Sequence, residues 1–213
     1  MEYEKIRKLV VLGHRGVGKT SLILRYTENT FVDNYYPTIE DIHTKTIVYH
    51  NNQYKFSIVD TAGQDEFSML NPQYTIGVDL YVIVFSVASN VSFEMVTSIR
   101  DKILDQTGLE SLPMVLVGSK SDLDYARQVS KEDAVALAKV FNCNYIECSA
   151  KAEVNIGKFF SLLLLPISVF SLQLTYWFLI GVIFEQAINM NNSLIKPNAD
   201  PKDSSSASNC LLM

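Results

Sequence analysis

The fold of this chain is decided by residues 13–20, which read Gly-His-Arg-Gly-Val-Gly-Lys-Thr. They fit the pattern G-x-x-x-x-G-K-[ST], in which glycines let backbone N–H groups close around phosphate oxygens. The N-terminus of a following helix adds a favourable field for an anion. An apolar run, Lys8–Gly13, precedes the pattern, and a stretch with helical spacing, Gly18–Asn29, follows it. This context favours a phosphate-binding loop (the phosphate loop, residues 13–20) over a plain glycine turn.

Two side chains of the phosphate loop carry specific chemistry. Lys19 is expected to reach the β- and γ-phosphates of a nucleotide, and the hydroxyl of Thr20 to ligate Mg²⁺. Lys19 is also a candidate catalytic residue, because a cation there stabilises charge on the transferred phosphoryl group. The other candidate nucleotide contacts in and beside the loop are Arg15, Gly16, Val17, Gly18 and Ser21.

A second motif, Asp60-Thr61-Ala62-Gly63-Gln64, ends an extended segment. We expect Asp60 to hold Mg²⁺ through water, the N–H of Gly63 to face a γ-phosphate, and Gln64 to orient the attacking water. An aspartate at the end of a strand is usually a turn residue, but the phosphate loop favours the functional interpretation. Gly63 and Gln64 are therefore candidate catalytic residues, and Asp60 is a candidate metal ligand.

Apolar segments and helical patterns alternate along the chain. The predicted strands are Lys8–Gly13, Thr44–His50, Tyr54–Asp60, Leu80–Val87, Pro113–Gly118 and Asn144–Cys148. The predicted helices are Gly18–Asn29, Asn90–Thr107 and Ser130–Phe141. Continuous apolar strands separated by helices are typical of a parallel sheet covered on both faces. We therefore expect an α/β fold of the P-loop NTPase type, a three-layer sandwich with a six-stranded, mostly parallel sheet and helices on both faces.

The composition agrees with a folded domain rather than with a secreted or nucleic-acid-binding protein. The 213 residues carry a net charge of −5, which argues against a broad nucleic-acid-binding surface. Residues 1–5 are not followed by the apolar stretch of a secretory signal. Cys143 and Cys148 fit reduced, packed thiols rather than a metal or disulfide framework. We therefore expect a cytoplasmic protein with one domain and a tail.

Three more motifs complete a pattern known from one protein family. They are Pro37-Thr38-Ile39-Glu40, the pair Lys120 and Asp122, and Ser149-Ala150-Lys151. With the phosphate loop and residues 60–64, they follow the order and spacing of the Ras-like small GTPases. The resemblance covers residues 6–157 and resumes after residue 181. Within that family, Arg15 and the segments 31–33 and 61–68 resemble the Rheb branch most.

The resemblance implies a molecular switch that binds GTP or GDP with Mg²⁺ and hydrolyses GTP to GDP. Thr38 would contribute its hydroxyl to Mg²⁺ when γ-phosphate is present, Tyr35 would cover the phosphates, and Phe31 would pack against the base. Val32 and Pro37 from the same segment are further candidate nucleotide contacts. Contacts to the γ-phosphate would order two switch segments, and hydrolysis would release them.

The resemblance also implies partners. Effector proteins would bind through switch I (Tyr35–Asp41) and switch II (Gly63–Tyr74), and a GTPase-activating protein would accelerate hydrolysis. By analogy to the Rheb branch, the effector would be a TOR-type kinase complex that controls growth. Tyr36 stands where the family usually has aspartate, which affects contacts to partners more than contacts to the nucleotide.

The guanine-reading motif departs from the family pattern Asn-Lys-x-Asp and reads Ser119-Lys120-Ser121-Asp122. By the resemblance, Asp122 accepts two N–H donors that only guanine presents, Lys120 packs over the base, and the N–H of Ala150 reaches the guanine carbonyl. Ser119 lacks the amide, so we expect it to lose a contact to base N7 or to the phosphate loop. Nucleotide affinity would fall by about one to two powers of ten unless a water fills the gap. Ser149 and Lys151 are the remaining candidate contacts on this side.

Arg15 replaces the glycine that most relatives carry at this place. Its side chain would crowd the γ-phosphate and obstruct an arginine supplied by an activating protein, so we expect slow hydrolysis, as in the Rheb branch. Arg15 and Ser119 also leave an alternative open, in which the protein no longer cycles. It would then act as a scaffold that is permanently nucleotide-bound or nucleotide-free.

The chain ends with Cys210-Leu211-Leu212-Met213, which fits the C-a-a-X pattern for prenylation. A terminal methionine favours a farnesyl group on Cys210. A single lipid gives weak, reversible membrane binding. We therefore expect a peripheral protein on the cytosolic face of endomembranes or the plasma membrane.

An apolar segment interrupts what the resemblance implies is the last helix. Residues 159–184 carry no charged side chain over 26 positions, and about 20 apolar residues suffice to span a membrane. One crossing, however, would place Cys210 away from the prenylating enzymes of the cytosol. Deletion of residues 158–181 instead leaves 189 residues and places Ile156 and Phe184 one helical turn apart.

The codons permitted at both ends of residues 158–181 include a splice donor and a splice acceptor. This pattern favours an intron of 72 nucleotides that is translated in frame, while a membrane anchor and a soluble insertion stay open. We predict a small GTPase domain at residues 1–157 plus 182–192, an apolar insertion at 158–181 and a flexible tail at 193–213.

Overall fold

The computed structural model describes residues 5–49 and 52–162, which contain six strands and four α-helices. The strands are β1 (Lys5–Gly13), β2 (Glu40–Tyr49), β3 (Asn52–Thr61), β4 (Leu80–Ser86), β5 (Met114–Ser119) and β6 (Asn144–Glu147). The helices are α1 (Lys19–Glu28), α2 (Asn90–Thr107), α3 (Lys131–Val140) and α4 (Ile156–Leu162). Two short 3₁₀ helices lie at Pro72–Tyr74 and Asp124–Ala126. Every predicted strand and helix is thus present.

The six strands form one sheet in the order β2-β3-β1-β4-β5-β6. Neighbouring strands are parallel except for β2 and β3, which are antiparallel. All side chains of β4 and β5 are buried, as expected for central strands that are covered on both faces. The predicted six-stranded, mostly parallel sheet is therefore confirmed.

Each face of the sheet packs against its own helices. On one face, Met95 and Ile99 of α2 and Ala134 of α3 join the apolar side chains of the strands in one buried cluster. On the other face, Leu22 of α1 and Phe159 of α4 join a second cluster. Helices thus cover both faces, as the sequence predicted.

Local signals set where the helices begin. Helix α1 begins directly after Gly18, whose φ of 97° favours glycine. The side chain of Ser89 caps α2, and that of Ser130 caps α3 by accepting a hydrogen bond from the N–H of Asp133. The helix predicted to begin at Ser130 is therefore present and begins at this cap.

Strand β2 begins at Glu40, earlier than the predicted start at Thr44. Its pairing with β3 continues as far as Glu40 opposite Thr61. The prediction relied on alternating apolar residues, but β2 is the edge strand, and Glu40, Asp41 and Ile42 are all exposed. The last part of predicted switch I is therefore strand rather than loop.

Within residues 5–49 and 52–162, no helix has the length and apolarity to cross a membrane. Most of the apolar segment 159–184, and the tail with Cys210, lie outside these described ranges. The described residues belong to one compact unit of the chain, Met1–Phe170. The predictions for the insertion and the tail therefore rest on the sequence alone.

Helix α4 crosses the predicted boundary between residues 157 and 158. Phe159 follows Ile156 by three positions, so both side chains lie on the same face of the helix. Both are buried in the second cluster, and only 2% of the surface of Phe159 is exposed. The side chain at position 159 is therefore part of the hydrophobic core of the domain. In the chain without residues 158–181, Ile183 would follow Ile156 by the same three positions.

We expect Phe159→Ala to lower the free energy of unfolding by about 3–5 kcal/mol, because it opens a cavity in the buried cluster. The exposed aromatic Tyr125 provides the matched control, since 88% of its surface is accessible, and Tyr125→Ala should change stability by less than about 0.5 kcal/mol. Urea unfolding of the two variants measures both effects. Equal stabilities would show that α4 is not docked on the sheet.

Candidate functional site

A cleft of about 760 Å³ opens beside the segments that follow β1, β3, β5 and β6. The segment between α1 and β2 closes its remaining side. This place, beyond the carboxyl ends of parallel strands, is where such folds bind ligands, and the volume suits a mononucleotide. The residues that line the cleft are Arg15, Gly16, Val17, Gly18, Lys19, Thr20, Ser21, Leu22, Leu24, Phe31, Val32, Asp33, Asn34, Tyr35, Tyr36, Pro37, Thr38, Gly63, Ser119, Lys120, Asp122, Leu123, Ala150 and Lys151.

The cleft brings together all of the predicted nucleotide contacts except Ser149. That residue lies behind the wall, where its hydroxyl donates a hydrogen bond to Asp122 Oδ1 at 2.5 Å. Six further lining residues were not among the predicted nucleotide contacts: Leu22, Leu24, Asp33, Asn34, Tyr36 and Leu123. Their position directly beside the selected motifs was the available signal.

Lys19 lies in the centre of the phosphate loop with only 5% of its surface exposed. Its ammonium donates hydrogen bonds to the carbonyls of Gly13 (3.1 Å) and His14 (3.2 Å). Burial lowers the pKa of Lys19 to about 8, although the negative charge of Asp60 opposes this shift. An anion in the cleft would favour the charged form of Lys19.

The three predicted metal ligands meet at one point. Thr20 Oγ1 lies 2.7 Å from Thr38 Oγ1 and donates a hydrogen bond to Asp60 Oδ2 at 2.6 Å. The other carboxylate oxygen of Asp60 is buried and has no hydrogen-bond partner among the described residues, and burial raises the pKa of this carboxyl group. Two hydroxyls and a carboxylate are hard oxygen donors, so this set fits Mg²⁺ with waters completing its shell.

The base side of the cleft is formed by residues 119–122 and 149–151. Lys120 has a φ of 58°, and its ammonium reaches across to the carbonyl of Gly16 at 2.7 Å. Asp122 has an exposed carboxylate, whose Oδ1 is held by Ser149. Lys120 thus joins the phosphate loop to the base side, and the carboxylate of Asp122 is fixed in place.

Ser119 keeps a contact to the phosphate loop. Its buried hydroxyl lies 2.5 Å from the carbonyl of Val17 and 2.8 Å from that of Phe85. Of the two contacts that Ser119 was expected to lose, to base N7 or to this loop, the contact to the loop is present, because the loop approaches closely enough for a hydroxyl. One hydroxyl has only one proton, however, so it satisfies the two carbonyls in alternation.

An ion pair fixes the two base-side segments relative to each other. Arg127, which follows the first segment, donates two hydrogen bonds of 3.0 Å to the carboxylate of Glu147, the last residue of β6. Tyr145 also donates to Glu147 at 2.8 Å. Bidentate pairs of this kind constrain orientation as well as distance.

Gln64, which was predicted to orient the attacking water, does not line the cleft. Its side chain is 6% exposed and donates a hydrogen bond to the carbonyl of Ala62. The backbone explains this position, because the N–H of Gln64 is bonded to the carbonyl of Gly13 at 3.0 Å. Gly63 does line the cleft and packs so closely that an added Cβ would lie 2.3 Å from Arg15 Cα.

Two charged side chains hold switch II. Lys102 of α2 donates hydrogen bonds to the carbonyls of Glu66 and Ser68, each at 2.9 Å. Arg15 pairs with Asp65 at 2.6 Å. Arg15 therefore connects the phosphate loop to switch II in this conformation.

The two switches also contact each other. Tyr74 of switch II donates a hydrogen bond of 2.5 Å to the carboxylate of Glu40 in switch I. In the rest of switch I, Tyr35 and Tyr36 are 65% and 72% exposed. The cleft side of switch I therefore presents two aromatic rings at the surface.

Comparisons with known proteins agree with this geometry. The family model described as Ras family matches residues 8–168. The GTP-binding protein rhb1 of Schizosaccharomyces pombe is 48% identical over 160 residues, which cover 75% of this chain and 86% of that protein. The GTP-binding protein Rheb of Homo sapiens is 44% identical over 151 residues, which cover 71% of this chain and 82% of that protein.

The small monomeric GTPase RhbA of Aspergillus fumigatus is 47% identical over 161 residues, which cover 75% of this chain and 86% of that protein. The region matched by the family model contains the phosphate loop, the three oxygen donors around Asp60 and both base-side segments. The resemblance derived from the motifs is thus confirmed, and this chain belongs to the Ras family and, within it, to the Rheb branch.

Proposed function

We propose that this protein is a GTP/GDP switch with slow intrinsic hydrolysis and that the residues gathered in the cleft perform it. As a member of the Ras family it binds GTP and GDP with Mg²⁺ and hydrolyses GTP. The observation that carries the proposal is the meeting of Thr20, Thr38 and Asp60 beside the phosphate loop. These donors come from three separate segments, so their meeting links the loop, switch I and the end of β3, which leads into switch II.

The phosphate side would work through charge and backbone N–H groups. Thr20, Thr38 and Asp60 would hold Mg²⁺, which offsets phosphate charge when it is bound. Lys19 would neutralise the β- and γ-phosphate oxygens, and the N–H of Gly63 would face the γ-phosphate. Because Thr38 belongs to switch I, loss of the γ-phosphate would loosen that segment.

The base side would provide selectivity for guanine. Asp122 would accept hydrogen bonds from the guanine N–H groups, the stem of Lys120 would cover one face of the base, and the N–H of Ala150 would bond the guanine carbonyl. Ser119 would contact the phosphate loop but not base N7. Phe31 would cover the edge of the base.

Slow hydrolysis is supported by the positions of Gln64 and Arg15. The amide of Gln64 is bonded to Ala62 inside the protein, so it would have to turn outward to orient water. Arg15 lines the cleft and is paired with Asp65, which leaves it where an activating protein would insert its own arginine. The alternative of a scaffold that does not cycle finds no support among the GTPase relatives.

Effectors and a GTPase-activating protein are the partners that Ras-family membership implies. We propose that the effector is a TOR-type kinase complex that binds switch I and switch II. This step is an analogy to the Rheb branch. The exposed side chains of Tyr36 and Ile39, at 72% and 88%, offer apolar contact area on switch I.

We propose that Cys210 carries a farnesyl group that attaches the protein to the cytosolic face of membranes. The support is the sequence Cys210-Leu211-Leu212-Met213. Since one lipid binds membranes weakly, the attachment would be reversible.

We propose further that residues 158–181 arise from a translated intron. Their removal restores a continuous last helix with Ile156 and Phe184 one turn apart. The domain would then consist of residues 1–157 and 182–192, followed by a flexible tail. Retained in the protein, the segment would expose about 20 apolar residues and promote aggregation.

We expect labelled GDP to bind the full chain in Mg²⁺ and to resist displacement by ADP. Ser119→Asn should tighten GDP binding by about one to two powers of ten, because an amide can bond base N7 in addition to the loop. Ser121→Asn, at the variable position of the same motif, is the matched control and should leave affinity unchanged. Titration of the chain with and without residues 158–181 measures all of these affinities.

Displacement by ADP would contradict guanine selectivity. Absence of GDP binding would overturn the proposed switch function itself. Equal affinities of the Ser119→Asn variant and the unaltered chain would show that base N7 needs no partner from this position.

Cys210→Ser should move the protein from the membrane fraction of cells to the soluble fraction, because the lipid would be lost. Ser208→Ala, two positions earlier, is the control and should leave the distribution unchanged. Persistence of the Cys210→Ser variant in membranes would favour an anchor formed by residues 159–184.

We expect transcripts that lack the 72 nucleotides encoding residues 158–181. Amplification of complementary DNA across codons 150–190 measures the length of this region directly. Detection of the longer product alone, in which all 213 codons are present, would contradict the intron.

A further inference from the structure

Arg25 lies in the last turn of α1, at a position that none of the motifs includes. Its Nε donates a hydrogen bond of 2.8 Å to the carbonyl of Ala150, and its Nη1 donates one of 3.2 Å to the carbonyl of Asn29. Its guanidinium carbon lies 5.8 Å from the centre of the Phe31 ring. One side chain therefore contacts both flanks of the base side of the cleft.

We propose that Arg25 is a positioning residue that keeps guanine nucleotide bound by holding Ala150 and Phe31 in place together. The inference rests on the proposed function, because it assumes that guanine lies between these two residues. Both residues line the cleft, whereas Arg25 acts from behind them.

The contact to Ala150 fixes the orientation of a residue that faces the base. Its carbonyl is turned toward α1 and accepts a charge-assisted hydrogen bond, a class that is stronger than bonds between neutral groups. The N–H of Ala150 belongs to the preceding peptide unit, so this bond restrains it by limiting the movement of the Ala150 backbone. The bond is partly buried and joins positions 125 residues apart, so it ties α1 to the segment after β6.

The contact to Phe31 acts on the opposite flank. A guanidinium within about 6 Å of an aromatic centroid attracts the face of the ring. Phe31 is also packed against the second buried cluster, so its ring is held from two directions. A nucleotide can leave only if the covering residues move aside, and Arg25 restrains two of them.

A second pair across the same opening is weaker. Lys151, next to Ala150, lies 3.2 Å from Asp33, but both side chains are largely exposed, at 62% and 75%. Exposed pairs of this kind contribute little. The more buried contact of Arg25 is therefore the main restraint between these segments.

The shape of the side chain explains why arginine suits this position. The planar guanidinium group donates to two backbone carbonyls while its central carbon lies over an aromatic ring. The ammonium group of a lysine is a compact point charge and does not match this arrangement. Glutamine could donate to one carbonyl but brings no charge to the ring. The contacts of Arg25 do not include Lys19 or the donors around Asp60, so hydrolysis of bound GTP should not depend on it.

The test compares release of a fluorescent GDP analogue with single-turnover hydrolysis of preloaded GTP, using the full chain in Mg²⁺. Arg25→Gln should release the nucleotide about tenfold faster, and Arg25→Lys should fall between that variant and the unaltered chain. Hydrolysis of bound GTP should stay within about twofold in both variants.

Lys45 provides the matched control. Like Arg25, it combines a hydrogen bond to a backbone carbonyl with an aromatic contact. Its ammonium donates to the carbonyl of Thr27 at 3.1 Å and lies 5.6 Å from the centre of the Tyr26 ring. Since Lys45 does not line the cleft, Lys45→Gln should leave the release rate unchanged. A general loosening of α1 would instead accelerate release in both glutamine variants.

Equal release rates for Arg25→Gln and the unaltered chain would overturn the inference alone. So would a parallel loss of hydrolysis, or an equal acceleration by Lys45→Gln. If Arg25→Gln does not fold, Arg25→Lys decides the question by the same comparison. Absence of GDP binding by the unaltered chain would overturn the proposed function together with this inference.

Discussion

The structure depends on how the backbone of the phosphate loop is supported from behind. A loop that presents its N–H groups to an anion must turn carbonyls away from it, and buried carbonyls need donors. The N–H of Gln64 bonds the carbonyl of Gly13, the ammonium of Lys120 bonds that of Gly16, and the hydroxyl of Ser119 reaches that of Val17. The segments after β3 and β5 thus maintain the shape of a loop that follows β1.

This support also couples the parts of the site. Ser119 and Lys120 of the base side and Gln64 of switch II are all bonded to carbonyls of the same phosphate loop. A displacement of the loop would therefore disturb phosphate and base contacts together. The buried position of Gln64 follows from the same constraint, because its backbone is needed behind the loop and its side chain is carried with it.

The sequence predicted the fold and most of the cleft because both rest on local rules. A phosphate loop requires glycines and a lysine at fixed spacing, and central parallel strands require continuous apolar runs, so Gly18, Lys19 and strand β4 could be identified without a structure. Three features could not be identified in this way: the inward orientation of the Gln64 side chain, the hydrogen bonds from Lys102 to switch II, and the contacts of Arg25. These features depend on partners up to 125 residues away, and no spacing rule encodes them. The early start of β2 was missed because an edge strand can carry Glu40 and Asp41 on its exposed faces.

We infer that several contacts together, rather than one motif, retain the nucleotide in this chain. Ser119 has one proton for two carbonyls, and in the proposed function it offers no donor to base N7. On the inference above, Arg25 adds a charged contact to each flank of the same base, through Ala150 on one flank and Phe31 on the other. Ser119 and Arg25 share no contact partner, so the free-energy effects of replacing them should add. A guanine motif that lacks the asparagine is therefore compatible with a working switch, provided that Arg25 keeps Ala150 and Phe31 in place.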